Sequence, residues 1–91
     1  MFKYKPGIKV SYERQGYIYF KSRSYNTLDS EEQSVIDKLC REIGGEYSSA
    51  LFAFVTTDAS ATKISIDYYL SKATLYRLVK EYYEKFPTEI K

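Results

Sequence analysis

Residues 60–82 read SATKISIDYYLSKATLYRLVKEY and decide the fold, because they predict two short helices joined by a tight turn. In the first helix a buried face recurs at helical spacing, with Ala61, Ile64, Ser65 and Tyr68. Ser65 is small at the point where two helices must approach closely. Leu70 fills the corner, and Ser71 offers a side-chain oxygen to the free amides of the second helix. The predicted buried face of that second helix consists of Leu75, Leu78, Val79 and Tyr82.

The opposite face of the second helix is polar and cationic. It carries Lys72, Ala73, Tyr76, Arg77 and Lys80. In a helix-turn-helix unit the first turns of the second helix enter the major groove of DNA. The sequence therefore predicts that these side chains contact double-stranded DNA.

Two other interpretations of this stretch remain open. A small helical domain of any function would bury the same apolar side chains and leave the charged ones in solvent. Alternatively, residues 51–56 and 62–67 form two strands joined by a turn at 58–60, since Val, Thr, Ile and Phe favour strands. The chain would then consist of two strand–strand–helix repeats. We favour two helices because the strand interpretation gives no role to the following sequence, LSKATLYR.

Residues 64–77, ISIDYYLSKATLYR, resemble the helix-turn-helix of site-specific resolvases and of stage III D type sporulation regulators. The resemblance covers about a quarter of the chain and extends weakly upstream to Phe54, Val55 and Thr57. It implies that Ser71 caps the recognition helix and that the residues after it contact DNA: Lys72 and Ala73 in the groove, Thr74 near the backbone, and Tyr76 and Arg77 at phosphates or bases.

The chain departs from this family at Tyr69. The family usually has Gly at this position, because the residue takes a left-handed conformation that costs a bulky side chain about 1 kcal/mol. We therefore expect a wider turn in this chain.

Residues 1–25 predict a basic β-hairpin. Apolar and polar residues alternate over 8–13 and 17–22, on either side of a turn at Arg14-Gln15-Gly16. The segment carries six Lys and Arg against one acidic residue. Cations displace condensed counterions from DNA, so we expect auxiliary backbone contacts from Lys3, Lys5 and Lys9. The alternative is that these lysines are solvated and keep the hairpin edge from pairing with other strands.

The rest of the chain predicts helices. Oxygen-bearing and acidic side chains at residues 26–31 favour the start of a helix over residues 28–43, which Gly44 and Gly45 end. A second helix is predicted over residues 46–57, and the helix-turn-helix over residues 60–86. The fold class is therefore mainly α, with an N-terminal β-hairpin followed by a three- to four-helix domain.

The length of 91 residues predicts one domain, residues 1–91, with a single core and no deep active-site cavity. The composition supplies little for catalysis. There is no His, and the single Cys40 lies on the apolar face of a predicted helix. The carboxylates are scattered, and no glycine-rich loop is placed to bind phosphate. The sequence therefore predicts no enzyme activity, no metal, no cofactor and no small-molecule substrate.

These observations favour a sequence-specific DNA-binding protein, a small transcriptional or recombination accessory factor. The size of the chain and its general resemblance to small Gram-positive mobile-element proteins suggest a phage or mobile-element source. No apolar run approaches membrane-spanning length and residues 1–10 do not form a signal peptide, so we expect a cytoplasmic protein. Useful specificity requires a homodimer or added contacts from the hairpin. The alternative function is a protein-interaction module or small inhibitor that docks through a tyrosine-rich hairpin, with Tyr4, Tyr12, Tyr17 and Tyr19.

Overall fold

The computed structural model describes residues 4–87, which form five α-helices. These are α1 (Tyr12–Arg23), α2 (Ser30–Gly44), α3 (Ser48–Thr56), α4 (Ala61–Tyr68) and α5 (Lys72–Lys85). Short 3-10 turns, Tyr25–Thr27 and Gly45–Tyr47, lie before and after α2. Residues 4–87 contain no strand. The mainly α class is therefore confirmed, and the predicted N-terminal β-hairpin is wrong.

The segment predicted as a hairpin is helical because its buried positions follow helical spacing. α1 buries Gln15, Ile18, Tyr19 and Ser22, an i, i+3, i+4, i+7 pattern. Two of these four buried side chains are polar, so the apolar residues alone do not show helical spacing. What remains can be mistaken for the alternation of apolar and polar residues in a strand. Gly16 lies inside the helix rather than in a turn. Ser11 begins the helix, since its hydroxyl accepts a hydrogen bond from the Arg14 amide at 3.2 Å.

Both buried polar side chains of α1 have hydrogen-bond partners distant in sequence. Gln15 Oε1 accepts from the Lys5 amide at 2.8 Å, and Nε2 donates to the Lys5 and Val10 carbonyls, each at 3.0 Å. The Ser22 and Tyr82 hydroxyls lie 2.7 Å apart. Gln15 thus holds the irregular segment of residues 4–11 against α1, and Ser22 links α1 to α5.

α2 lies close to its predicted range, residues 28–43. The Asp29 carboxylate caps it by accepting from the Glu32 amide at 2.8 Å. Gly45 ends it with φ at +54°, a conformation that glycine adopts without penalty. Its inner face buries Ile36, Leu39 and Cys40.

The buried residues form one cluster, in which α5 packs against α2, α3 and α4. All four residues predicted for the buried face of α5 lie in this cluster: Leu75, Leu78, Val79 and Tyr82. α3, close to the predicted range 46–57, contributes Ala50, Leu51 and Val55. Within residues 4–87 no helix is both long enough and apolar enough to cross a membrane.

Candidate nucleic-acid interface

α4 and α5 are joined by three residues, 69–71. Residues 62–67 are helical, so the strand interpretation of this stretch is wrong. Leu70 is buried in the corner between the two helices, as predicted. Each helix begins at a serine: Ser60 Oγ accepts from the Lys63 amide and Ser71 Oγ from the Thr74 amide, both at 3.1 Å. The sequence thus forms two capped helices around a short turn.

Tyr69 takes the left-handed conformation, with φ at 58° and ψ at 48°. The expectation of a wider turn is therefore wrong. Among the non-glycine residues of the described chain, only Tyr69 has a positive φ. Its side chain is 90% exposed, so packing within residues 4–87 does little to offset a conformational cost of about 1 kcal/mol. The strain of this turn is carried by an exposed aromatic residue.

Ser65 closes the turn by hydrogen bonding. Its hydroxyl donates to the Leu70 carbonyl at 2.6 Å, and its own carbonyl accepts from the Tyr69 amide. The Leu70 amide also donates to the Ser65 carbonyl, at 3.3 Å. Ser65 therefore stabilises the turn through its hydroxyl, in addition to the small size that lets the two helices approach.

The outer face of α5 is exposed to solvent. It holds all five side chains predicted to face DNA, namely Lys72, Ala73, Tyr76, Arg77 and Lys80. Thr74 is half-buried, and its hydroxyl accepts a hydrogen bond from Ser71 Oγ at 3.0 Å. The predicted site residues of α5 therefore lie on one helix whose opposite face is fixed in the core.

The first two turns of α5 carry basic and no acidic side chains. Its acids come later, where Arg77 lies 3.9 Å from Glu81 and Lys80 lies 3.3 Å from Glu84. Exposed ion pairs of this kind contribute little to stability, so a phosphate can replace either carboxylate. The N-terminal end of a helix also carries partial positive charge. The start of α5 is therefore the part of the helix best suited to an anion.

The irregular segment of residues 4–11 runs beside the second half of α5. The Lys9 amide donates to a Glu84 carboxylate oxygen at 3.1 Å, and Lys9 itself is exposed. Lys5 is half-buried, with Nζ 5.6 Å from the centroid of the Tyr83 ring, and burial lowers the pKa of Lys5. The structure thus brings Lys9 to the side of α5, whereas Lys5 lies against an aromatic ring. Lys3 lies outside the described residues.

The tyrosines predicted to form a docking surface are divided between surface and core. Tyr4, Tyr12 and Tyr17 are exposed, but Tyr19 is buried. Two large apolar side chains that were not predicted to be exposed also lie at the surface: Phe20 on α1 and Ile66 on α4, which are 60% and 66% exposed. In a helix over residues 12–23, Phe20 lies on the exposed face, so helical periodicity is the signal that identifies it.

No group of three or more His, Cys, Asp or Glu side chains comes together in the described part of the chain. Comparison with protein-family models, with curated proteins and with solved structures found no match for this chain. The resemblance to resolvases and sporulation regulators therefore stays a prediction.

Proposed function

We propose that this protein binds double-stranded DNA through α5, with α4 and the turn fixing the angle at which α5 enters the major groove. One observation carries the proposal: the exposed face of α5 begins with basic and small side chains, while the opposite face is buried in the core. A helix held in this way keeps its position when its outer side chains contact base edges.

The proposal assigns roles by position along α5. Lys72 and Ala73 lie at the start of the helix, where a recognition helix comes closest to the bases. Arg77 is one turn further, and its planar guanidinium suits bidentate contact with guanine or a phosphate. Lys80, together with Lys9 from the irregular segment, is placed for contacts with the DNA backbone. Half-buried Lys5 is excluded from the set of direct contacts.

A single unit of this size reads few base pairs. Sequence-specific binding therefore requires either a homodimer on a palindromic site or added backbone contacts from residues 4–11. On this basis we propose a transcriptional or recombination accessory factor, acting in the cytoplasm. The suggested phage or mobile-element source rests on chain size and on a general resemblance to small Gram-positive mobile-element proteins.

DNA binding is tested by fluorescence anisotropy with a labelled random-sequence duplex at low salt. We expect a dissociation constant of about 10⁻⁶ M or tighter at low salt, weakening steeply as salt rises towards the physiological range, where non-specific binding is typically about 10⁻⁶ to 10⁻⁴ M. Lys72→Ala and Arg77→Ala should each weaken binding, and loss of one phosphate contact should lower the log–log salt slope by about one unit.

Lys38→Ala is the matched control, because Lys38 is an exposed lysine of α2, away from α5's outer face. It should leave DNA affinity unchanged. The proposal fails if the protein does not bind the duplex at tens of micromolar and low salt, or if Lys38→Ala weakens binding as much as Arg77→Ala does.

A second candidate function is protein binding through exposed aromatic side chains of α1. Tyr12 and Phe20 are each 60% exposed, and large aromatic residues are enriched at protein interfaces. This candidate keeps the idea of a tyrosine-rich docking surface but places it on a helix instead of a hairpin. It becomes the preferred function if the duplex does not bind.

A further inference from the structure

A cleft of about 380 Å³ lies where α1, the end of α3, the start of α4 and α5 meet. Its aromatic lining comes from three helices: Tyr19, Phe54, Tyr76 and Tyr83. Sites for small ligands typically have volumes of about 300 to 1,000 Å³ and mostly apolar walls with a few polar groups. The cleft has the size of such a site, and its walls combine aromatic rings with an unusually large share of polar groups.

Among residues 4–87, the lining of the cleft includes two cations and no carboxylate. Arg23 Cζ lies 4.5 Å from the centroid of the Tyr19 ring, and Lys5 Nζ lies 5.6 Å from that of Tyr83. Burial lowers the pKa of Lys5, and the positive charge of Arg23 lowers it further, so the two cations are within electrostatic reach of each other. An anion between them would relieve this repulsion.

Asp58 is the carboxylate bonded to Arg23, and it lies outside the cleft. The Asp58 side chain is 86% exposed, against 25% for Arg23. A solvated carboxylate of this kind holds its partner weakly. A guanidinium has five N–H donors, so Arg23 can keep its contact with Asp58 and also bind a second anion on the cleft side.

We propose that the cleft binds a small aromatic carboxylate. The planar ring of the ligand lies among the aromatic walls, and its carboxylate lies between Lys5 and Arg23. Aromatic rings gain from stacked and edge-to-face contacts, and carboxylates form their strongest hydrogen bonds with charged donors. The ligand is bound and not converted, so the proposal adds a binding site without adding a catalytic one.

The test uses benzoate as the probe, with benzyl alcohol as a neutral ring of similar size and acetate as a carboxylate without a ring. Each is titrated into the ¹⁵N-labelled protein, and amide chemical shifts are followed. We expect saturable shifts at residues 59–61, 76 and 83 with benzoate, with a dissociation constant of about 1 mM or tighter. Benzyl alcohol and acetate should each bind at least about tenfold more weakly. Absence of saturation by benzoate, or equal affinity for benzyl alcohol, overturns the proposal.

Charge-removing variants test the two cations. Lys5→Gln and Arg23→Gln should each weaken benzoate binding by about tenfold, because each removes a charge-assisted contact. Lys38→Gln, on α2, should leave it unchanged. Asp58→Asn should leave affinity equal or tighter, since it removes only the competing carboxylate, and it keeps the test decisive if Arg23→Gln does not fold. Unchanged affinity in Lys5→Gln, or weaker binding in Asp58→Asn, overturns the proposal. The titrations contain no DNA, so their outcome is independent of the proposed DNA binding.

Discussion

Tyr69 is a bulky residue in a left-handed backbone conformation that favours glycine. Tyr69→Gly should raise the free energy of unfolding by about 0.5 to 1 kcal/mol, because glycine adopts a positive φ without steric cost. Urea denaturation measures the change. Tyr69→Ala is the control, since alanine keeps a Cβ in the same conformation and should give no comparable gain. A loss of stability in Tyr69→Gly would show that the 90%-exposed ring makes a stabilising contact.

Three buried acids predict how stability depends on pH, since burial raises the pKa of Tyr82 as well as those of Cys40 and Tyr83. Burial raises the pKa of the Cys40 thiol from 9.0 to about 12, and it raises that of Tyr83 from 10.0 to about 12. The unfolded chain therefore loses these protons at lower pH than the native protein does. The free energy of unfolding should be fully retained below pH 9 and should fall as pH rises towards 12.

Tyr83→Phe should reduce the loss of stability at alkaline pH, since it removes one of the three groups while keeping the ring. Tyr76→Phe, at an exposed tyrosine, is the control and should leave the profile unchanged. Urea titrations at several alkaline pH values measure both variants. An equally steep loss in Tyr83→Phe would contradict the assignment.

The N-cap of α5 predicts how one substitution changes the stability of a whole helix. Ser71→Ala should lower the free energy of unfolding by about 1 kcal/mol, because it removes the oxygen that accepts from the Thr74 amide. Thermal or urea unfolding measures the loss. Ser34→Ala, at an exposed position inside α2, is the control and should change stability little. An unchanged melting midpoint for Ser71→Ala would show that this oxygen does not cap the helix.

The helices differ in how well their sequences reveal them. α5 could be predicted because its cap is a serine and its inner face is entirely apolar or aromatic, which is a local pattern. α1 could not, because Gln15 and Ser22 occupy core positions and Gly16 resembles a turn residue. What makes these polar residues acceptable in the core is their partners Lys5, Val10 and Tyr82, and no window of local sequence contains them all.

The candidate site could likewise be predicted only in part from local sequence. Helical periodicity was enough to predict which side chains share the outer face of α5. It could not predict that Lys5 lies against Tyr83, nor that Arg23 and Tyr76 line one cleft, since these residues come from separate elements. Both arrangements depend on the packing of α1, a segment for which the sequence predicts a hairpin.

At the scale of the whole molecule, the net charge of +2 conceals two unlike surfaces. α2 packs on the inner side of α5 and has the exposed Glu31 in its first turn, whereas the outer side of α5 begins with the exposed Lys72. Two surfaces with charges of opposite sign orient a molecule as it approaches a polyanion. The proposed DNA-binding face would therefore be turned towards the duplex before contact.

The beginning and the end of the described chain lie together. The Lys9 amide bonds to Glu84, which is 75 residues later, and Arg14 Nη2 donates to the carbonyls of Phe86 at 3.2 Å and Pro87 at 2.5 Å. Because these bonds join segments far apart in sequence, the irregular segment of residues 4–11 and the end of α5 should open together in amide hydrogen exchange.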